Sequence, residues 1–265
     1  MYIMANNNIQ TINFHIHELD TMKKYPKELF YIGNTDLLKK RKVSIVGTRR
    51  PNSYAIQKTH EIARKLSFNN IVIVSGVAMG IDAIAHEGAR SNNTIGVTGN
   101  GLDIKYPAIN KKIIKSIEKN GLMLSQFKPS TPSFNYNFPI RNEVVVALGE
   151  VLIVAQADMN SGTIRSVEHA LKMDKKIYAL PHRVGESEGT NELIRKNLAI
   201  PIYDVDKFVK EIVGKNSIGN KKDKFLKFCS NNPTYDEVVE KFPSKIFEYE
   251  LSGKIKVEKG LVFVV

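Results

Sequence analysis

Phosphate chemistry is written most clearly at Val43-Ser44-Ile45-Val46-Gly47-Thr48-Arg49-Arg50-Pro51, where an apolar run passes through a glycine turn into two arginines and a proline that can start a helix. Backbone N–H groups and the positive end of a helix dipole converge at such a corner, and each guanidinium adds a planar fork of donors matched to phosphate oxygens. Three further glycine-rich turns follow apolar runs: Ser75 to Asp82, Gly99-Asn100-Gly101-Leu102-Asp103, and Ser161-Gly162-Thr163. Placed on one sheet edge, four such turns line a groove for an anion. The usual nucleotide fingerprints are missing, because Gly99-Asn100-Gly101 lacks a third glycine and no Gly-Lys-Ser/Thr occurs. No cofactor is expected.

Asp82 and His86 stand four apart, so a helix puts them on one face, where they can form an acid–base couple. A structural reading competes with it and is preferred: an acid in the first turn complements the helix dipole and holds the glycine turn. No Gly-x-Ser-x-Gly elbow accompanies them, so no catalytic residue is assigned. Phe134, Tyr136 and Phe138 alternate with asparagines ahead of Arg141-Asn142. Alternate aromatics beside an arginine suit the stacking of single-stranded bases. Phe134 and Tyr136 read equally well as loop residues packed on a core, whereas Pro139 sets Phe138 on a turn before a helix. His15 and His17 read as surface residues with too few partners for a metal, and His169 and His182 as spectators.

The elements that must position these residues follow from hydrophobic pattern. Val43–Val46, Ile71–Val74, Thr94–Val97, Leu122–Leu124, Val151–Ala155 and Ile177–Leu180 are short, continuously apolar runs, the pattern of strands buried on both faces. Ile56, Thr59, Ile62, Ala63 and Leu66 recur at helical spacing, and further helices are predicted near 81–90, 107–119, 138–148, 162–173 and 190–198. Alternation of this kind predicts a Rossmann-like, doubly wound, mostly parallel α/β sheet over 41–212. Residues 1–40 lack a clear period and form a lead-in packed on it. A polar, basic linker is predicted at 213–221. In 222–265, Thr234 with Glu237 fits a capping box, a helix follows Pro243-Ser244, and Ile255-Lys256-Val257 with Leu261 to Val265 reads as a closing hairpin joined through Glu258-Lys259-Gly260, the parts of a winged helix.

Composition narrows the partner. Thirty-nine Lys plus Arg against 27 Asp plus Glu give a net charge of +12 in 265 residues, which points to an acidic polymer, nucleic acid first. Residues 221–265 carry nine lysines against seven acids, which leaves a net +10 on the first 220 residues. A single cysteine, Cys229, excludes a disulfide framework and a cysteine-built zinc cluster and fits a reducing cytoplasm. The opening Met-Tyr-Ile-Met-Ala-Asn-Asn-Asn has no export pattern, and Glu150 interrupts the longest apolar stretch, so neither export nor membrane insertion is predicted.

Taken in order, Ile45-Val46-Gly47-Thr48-Arg49, Ser75 to Asp82 with His86, Gly101-Leu102-Asp103 before Tyr106-Pro107 and Asn110, Phe138-Pro139 with Arg141-Asn142, Ser161-Gly162-Thr163, and Gly189-Thr190-Asn191 with Leu193-Ile194 resemble the DNA-processing protein A (DprA/Smf) family. The resemblance implies a single-stranded DNA-binding protein, a cytoplasmic homodimer, that protects incoming DNA and helps load a RecA-type recombinase during natural transformation, without catalysis. It implies that Arg49 clamps a phosphate, with Arg50 the weaker second candidate, and that Phe138 contacts a base. Gly76, Gly80, Ser161, Gly162 and Thr163 then line the same pocket, Arg141 takes a phosphate role, and Lys175 touches DNA. Gln126, Glu143, Gln156 and His182 depart from the family pattern; Glu143 replaces an arginine expected to meet phosphate. The alternative is a nucleotide-processing enzyme of the lysine-decarboxylase-like type, whose Pro-Gly-Gly-x-Gly-Thr-x-x-Glu signature is missing here.

Overall fold

The computed structural model describes residues 9–214, 224–229, 233–258 and 260–264, in two compact units that divide between Lys210 and Glu211. The first unit opens with β1 (Gln10–Thr11), a 3-10 turn (His17–Thr21), β2 (Phe30–Gly33) and a second 3-10 turn (Thr35–Lys39). Then come β3 (Lys42–Val46), α1 (Ser53–Phe68), β4 (Val72–Gly76), α2 (Ile81–Ala89) and β5 (Thr94–Val97). A 3-10 turn at Ala108–Asn110 leads into α3 (Lys111–Asn120), followed by β6 (Leu122–Ser125), α4 (Asn137–Leu148), β7 (Val151–Val154) and α5 (Gly162–Lys172). β8 (Lys176–Ala179), α6 (Glu188–Arg195) and β9 (Ile200–Pro201) complete the alternation, and α7 (Val205–Val213) runs across the division.

Among the described residues these strands make one nine-stranded sheet in the order β1-β2-β6-β5-β4-β3-β7-β8-β9. Strands β3 to β9 are parallel, with Val43 opposite Ile73 and Ile45 opposite Ile153 in the centre. This is the doubly wound α/β sheet that the continuous apolar runs predict: every residue of β3, β4, β5 and β7 is buried. The six predicted runs all become strands, with ends displaced by at most two residues. The lead-in does more than pack. Its β2 lies antiparallel on β6, Phe30 opposite Ser125, and β1 extends the edge. Strands of two and four residues that are partly exposed have too short a pattern to be read as a period.

Helix α1 shows why the sequence folds locally as it does. Asn52 caps it by accepting from Ala55 N at 2.8 Å, and Ala55, Thr59, Ile62, Ala63 and Leu66 bury one face. Ile56, placed on that face by spacing, is instead exposed, because Ala55 takes the inward position.

The second unit contains α8 (Lys224–Cys229), α9 (Tyr235–Lys241), α10 (Ile246–Leu251) and the hairpin β10 (Ile255–Glu258) and β11 (Leu261–Val264). Thr234 and Glu237 make the reciprocal capping box, and a single bridge joins Thr234 to Leu261. Phe225, Cys229, Val238, Ile246, Tyr249, Ile255 and Val262 form its core. Of the predicted linker only 213 and 214 are described, and the asparagine-rich start, Lys259 and Val265 also lie outside the described residues. No described helix is long and apolar enough to cross a membrane.

Candidate nucleic-acid interface

From β3 the chain crosses to β4 on one side, and from β7 it crosses to β8 on the other. The loops leaving these two neighbouring strands therefore part at their carboxyl ends and leave a crevice, the place where open α/β sheets hold ligands. A groove of about 550 Å³ occupies it, walled by Gly47 to Arg50 on one side and by Asp158, Ser161 to Thr163, Arg165 and Ser166 on the other. Phe138, Arg141, Gly76 and Asp82 close it.

The Arg49 turn is held from three directions. Thr48 N donates to Gln156 O at 2.8 Å, Asn52 N donates to Gln156 Oε1 at 2.9 Å, and Ile81 N donates to Thr48 O at 3.1 Å. Gln156, one of the departures from the family pattern, is thus a brace for this turn. Gly80 does not line the groove but supports it: its φ is +79°, and a Cβ there would run into Thr48 O and the Arg49 backbone. Arg49 and Arg50 are both exposed. The Arg49 guanidinium lies 5.4 Å from the centroid of the Phe138 ring, which is half-buried and stacks on Tyr106 at 6.1 Å with 28° between planes. Phe134 and Tyr136 also stack, at 5.2 Å, and both are exposed.

Arg141 is placed differently from the expectation of an open phosphate contact. It is buried in the groove wall, where Nη1 donates to Val97 O at 2.8 Å and stands 4.0 Å from Asp82 Oδ2. Gly76 makes this approach possible, since a Cβ would overlap both Arg141 Nη1 and Asp82 Oδ2. Burial pushes the Asp82 carboxyl above its ordinary range, against the opposing pull of Arg141 and the N–H of Ala78, which donates to Oδ2 at 3.3 Å.

Asp82 and His86 take different partners. His86 lies 2.7 Å from Thr94 Oγ1 through Nδ1 and 2.5 Å from Gly76 O through Nε2, and burial drives its pKa down to about 4. A neutral ring in the fold and a protonated ring in the unfolded chain between pH 6.5 and about 4 mean that the unfolded state binds the extra proton there. Stability from His86 is therefore complete above pH 6.5 and falls as pH drops towards 4, by roughly 3 kcal/mol. Urea unfolding across that window is expected to show a flatter pH dependence for His86→Gln than for the native chain.

The far wall is rich in donors without acceptors. Ser161 caps α5 with no side-chain hydrogen bond, and Ser161 Oγ, Ser166 Oγ and Arg141 Nε are buried with no partner among the described residues. Gly162 is exposed and Thr163 is buried at the same helix start, and both line the groove, where the first N–H groups of a helix have no acceptor one turn back. Arg165, one turn in and exposed, adds a cation that sequence reading passed over. Its signal was its position three residues beyond a glycine turn already singled out.

One predicted DNA contact, Lys175, lies elsewhere. Lys175 precedes β8, at the amino edge of the sheet, opposite the groove. Its Nζ donates to Ala147 O at 2.6 Å and also to Gly149 O, so it caps the carboxyl end of α4, where a cation complements the helix dipole. Burial lowers its pKa to about 8. Glu143 accepts from Lys23 N at 2.9 Å and is thereby turned to the lead-in, so its carboxylate does not line the groove.

Sheet topology, an arginine turn and a donor-lined crevice define a Rossmann-like α/β protein with a polar groove at its switch point. The chain belongs to the DNA recombination-mediator protein A family, whose model matches residues 13–213. DNA processing protein DprA of Streptococcus pneumoniae is 37% identical over 183 residues, covering 68% of this chain and 64% of that protein. Protein Smf of Synechocystis is 32% identical over 73% of this chain and 54% of its own length. The chain thus spans between half and two thirds of these relatives. A solved structure of DNA processing protein A from Helicobacter pylori, described for its single-stranded DNA binding mode, superposes with a TM-score of 0.76 at 40% identity. It covers 78% of this chain and 96% of that one.

Proposed function

We propose that this chain is a single-stranded DNA-binding DNA-processing protein rather than an enzyme. The observation that carries the reading is the groove itself: two exposed arginines, a helix start, two unpaired buried hydroxyls and an unpaired guanidinium Nε converge beside an aromatic ring. Donors without acceptors call for an anion, and the ring calls for a base. Phosphates lie against Arg49, Arg50 and the Ser161–Thr163 turn, a base lies on Phe138, and Gly76 gives the buried Arg141 its place in the wall behind them. The Helicobacter pylori relative, for which single-stranded DNA binding is described, supports this reading.

In the cell, the protein protects incoming single strands in the cytoplasm and helps load a RecA-type recombinase during natural transformation, as a homodimer. The second unit acts as an accessory winged helix, its three helices and hairpin occurring in the order such domains use. Its modest charge leaves most of the attraction for DNA to the first unit.

The test is a salt titration of single-stranded against duplex DNA with the full chain. Single-strand affinity falls with a log–log slope near 0.7 per neutralised phosphate. An affinity indifferent to salt overturns the assignment. Phe138→Ala is expected to weaken single-strand binding by about 1–3 kcal/mol while leaving the salt slope in place, because a stacked ring neutralises no phosphate.

A further inference from the structure

The lead-in brings together three metal-binding side chains that the function above does not use. In sequence His15 and His17 offer only two ligands, too few for a metal. The 3-10 turn at His17–Thr21 supplies the third. With three residues per turn, positions i and i+3 eclipse, so Asp20 comes under His17, and the extended backbone at Ile16 carries His15 to the same side. Asp20 Oδ2 stands 2.9 Å from His15 Nε2 and 3.8 Å from His17 Nδ1, and one ligand atom from each residue lies within 4.8 Å of the others.

We propose that His15, His17 and Asp20 bind a divalent transition-metal ion, Zn²⁺ by donor type. Two imidazole nitrogens and one carboxylate oxygen suit zinc rather than magnesium or calcium, which take oxygen ligands. Bonds of about 2.0–2.1 Å to a tetrahedral ion set neighbouring donor atoms about 3.3 Å apart. The two carboxylate–imidazole distances of 2.9 and 3.8 Å bracket that value and all three donor atoms lie within 4.8 Å, so rotation of these exposed side chains brings them to the spacing of one ion. Three protein ligands leave the fourth position to water.

The backbone that carries the ligands is itself braced. Ile16 and Leu19 are buried on the opposite side, which throws the three ligands outward. Ile16 N donates to Tyr25 Oη at 3.0 Å, and the Tyr25 ring stacks on His15 at 5.0 Å with 12° between planes, fixing that imidazole. Thr21 Oγ1 donates to Glu18 O at 2.8 Å and closes the turn, while Glu18 pairs with the buried Lys42 at the start of β3. Ligands oriented by such outer contacts lose less freedom on binding.

The experiment is calorimetric titration of Zn²⁺ into the untagged full chain after chelator dialysis, repeated with His17→Ala and Asp20→Asn. The expected result is one saturable site, weakened about tenfold or more in each variant. Thermal unfolding run alongside should shift upward with Zn²⁺ in the native chain and not in the variants. Absence of saturable binding, or native affinity retained by either variant, overturns the proposal.

Discussion

Replacing Asp82 with alanine is expected to lower the unfolding free energy by about 3–5 kcal/mol, because it strands a buried guanidinium. The Arg141 side chain is only 5% exposed. Its remaining partner is the carbonyl of Val97, and its Nε has none among the described residues. A carbonyl dipole does not replace a counter-charge in a water-poor wall. Asp82→Asn keeps an acceptor for the N–H of Ala78 but offers Arg141 no charge, so its loss should fall between alanine and native. The double variant Asp82→Ala with Arg141→Met should recover much of the single-variant loss, since removing both members of a buried pair is often near neutral. Urea unfolding at neutral pH measures all three. An Asp82→Ala chain within 1 kcal/mol of native, on the scale of an exposed pair, would show that the two groups do not depend on each other.

That pair also marks where sequence reasoning stops. The strands were readable because burial on both faces leaves no room for polar alternation, and each apolar run is local information. The groove turns were readable for a similar reason: glycine, hydroxyl and arginine sit within a few residues of one another at Gly47 to Arg50 and at Ser161 to Thr163. Partnership across the fold leaves no such trace. An arginine is exposed by default, and nothing near Arg141 in the chain announces that Asp82, on a different helix, and the carbonyl of Val97 will receive it in the wall. The family resemblance implies a DNA contact for Lys175, yet the end of α4 sits at the opposite sheet edge and presents carbonyls to it. Tyr106 and Arg165 reach the groove's neighbourhood through loop and helix geometry that spacing alone does not give. Asp20 is not legible as a partner of His17 because their link depends on a 3-10 turn, whose period of three leaves no apolar pattern in the lead-in.

If the groove holds a strand of DNA, replacing Arg49, Arg50 and Arg165 together with alanine should reduce the salt slope by about 2, at about 0.7 for each phosphate released. Affinity should fall more steeply than the slope implies. Hydrogen bonds to charged groups contribute about 1.5–3 kcal/mol each, so Arg49→Ala alone predicts a loss of roughly ten- to hundredfold at low salt. Arg49 is ranked first because it does two things at once: it faces the groove and lies 5.4 Å over Phe138. Arg49→Lys separates the two. A lysine keeps the charge, so the salt slope should hold, but an ammonium cannot grip a phosphate with a planar fork or lie flat on the ring, and affinity should still drop. A triple variant with an unchanged slope would place the phosphates elsewhere. The buried donors at Ser161, Ser166 and Arg141 Nε would then be completed by water or by another anion.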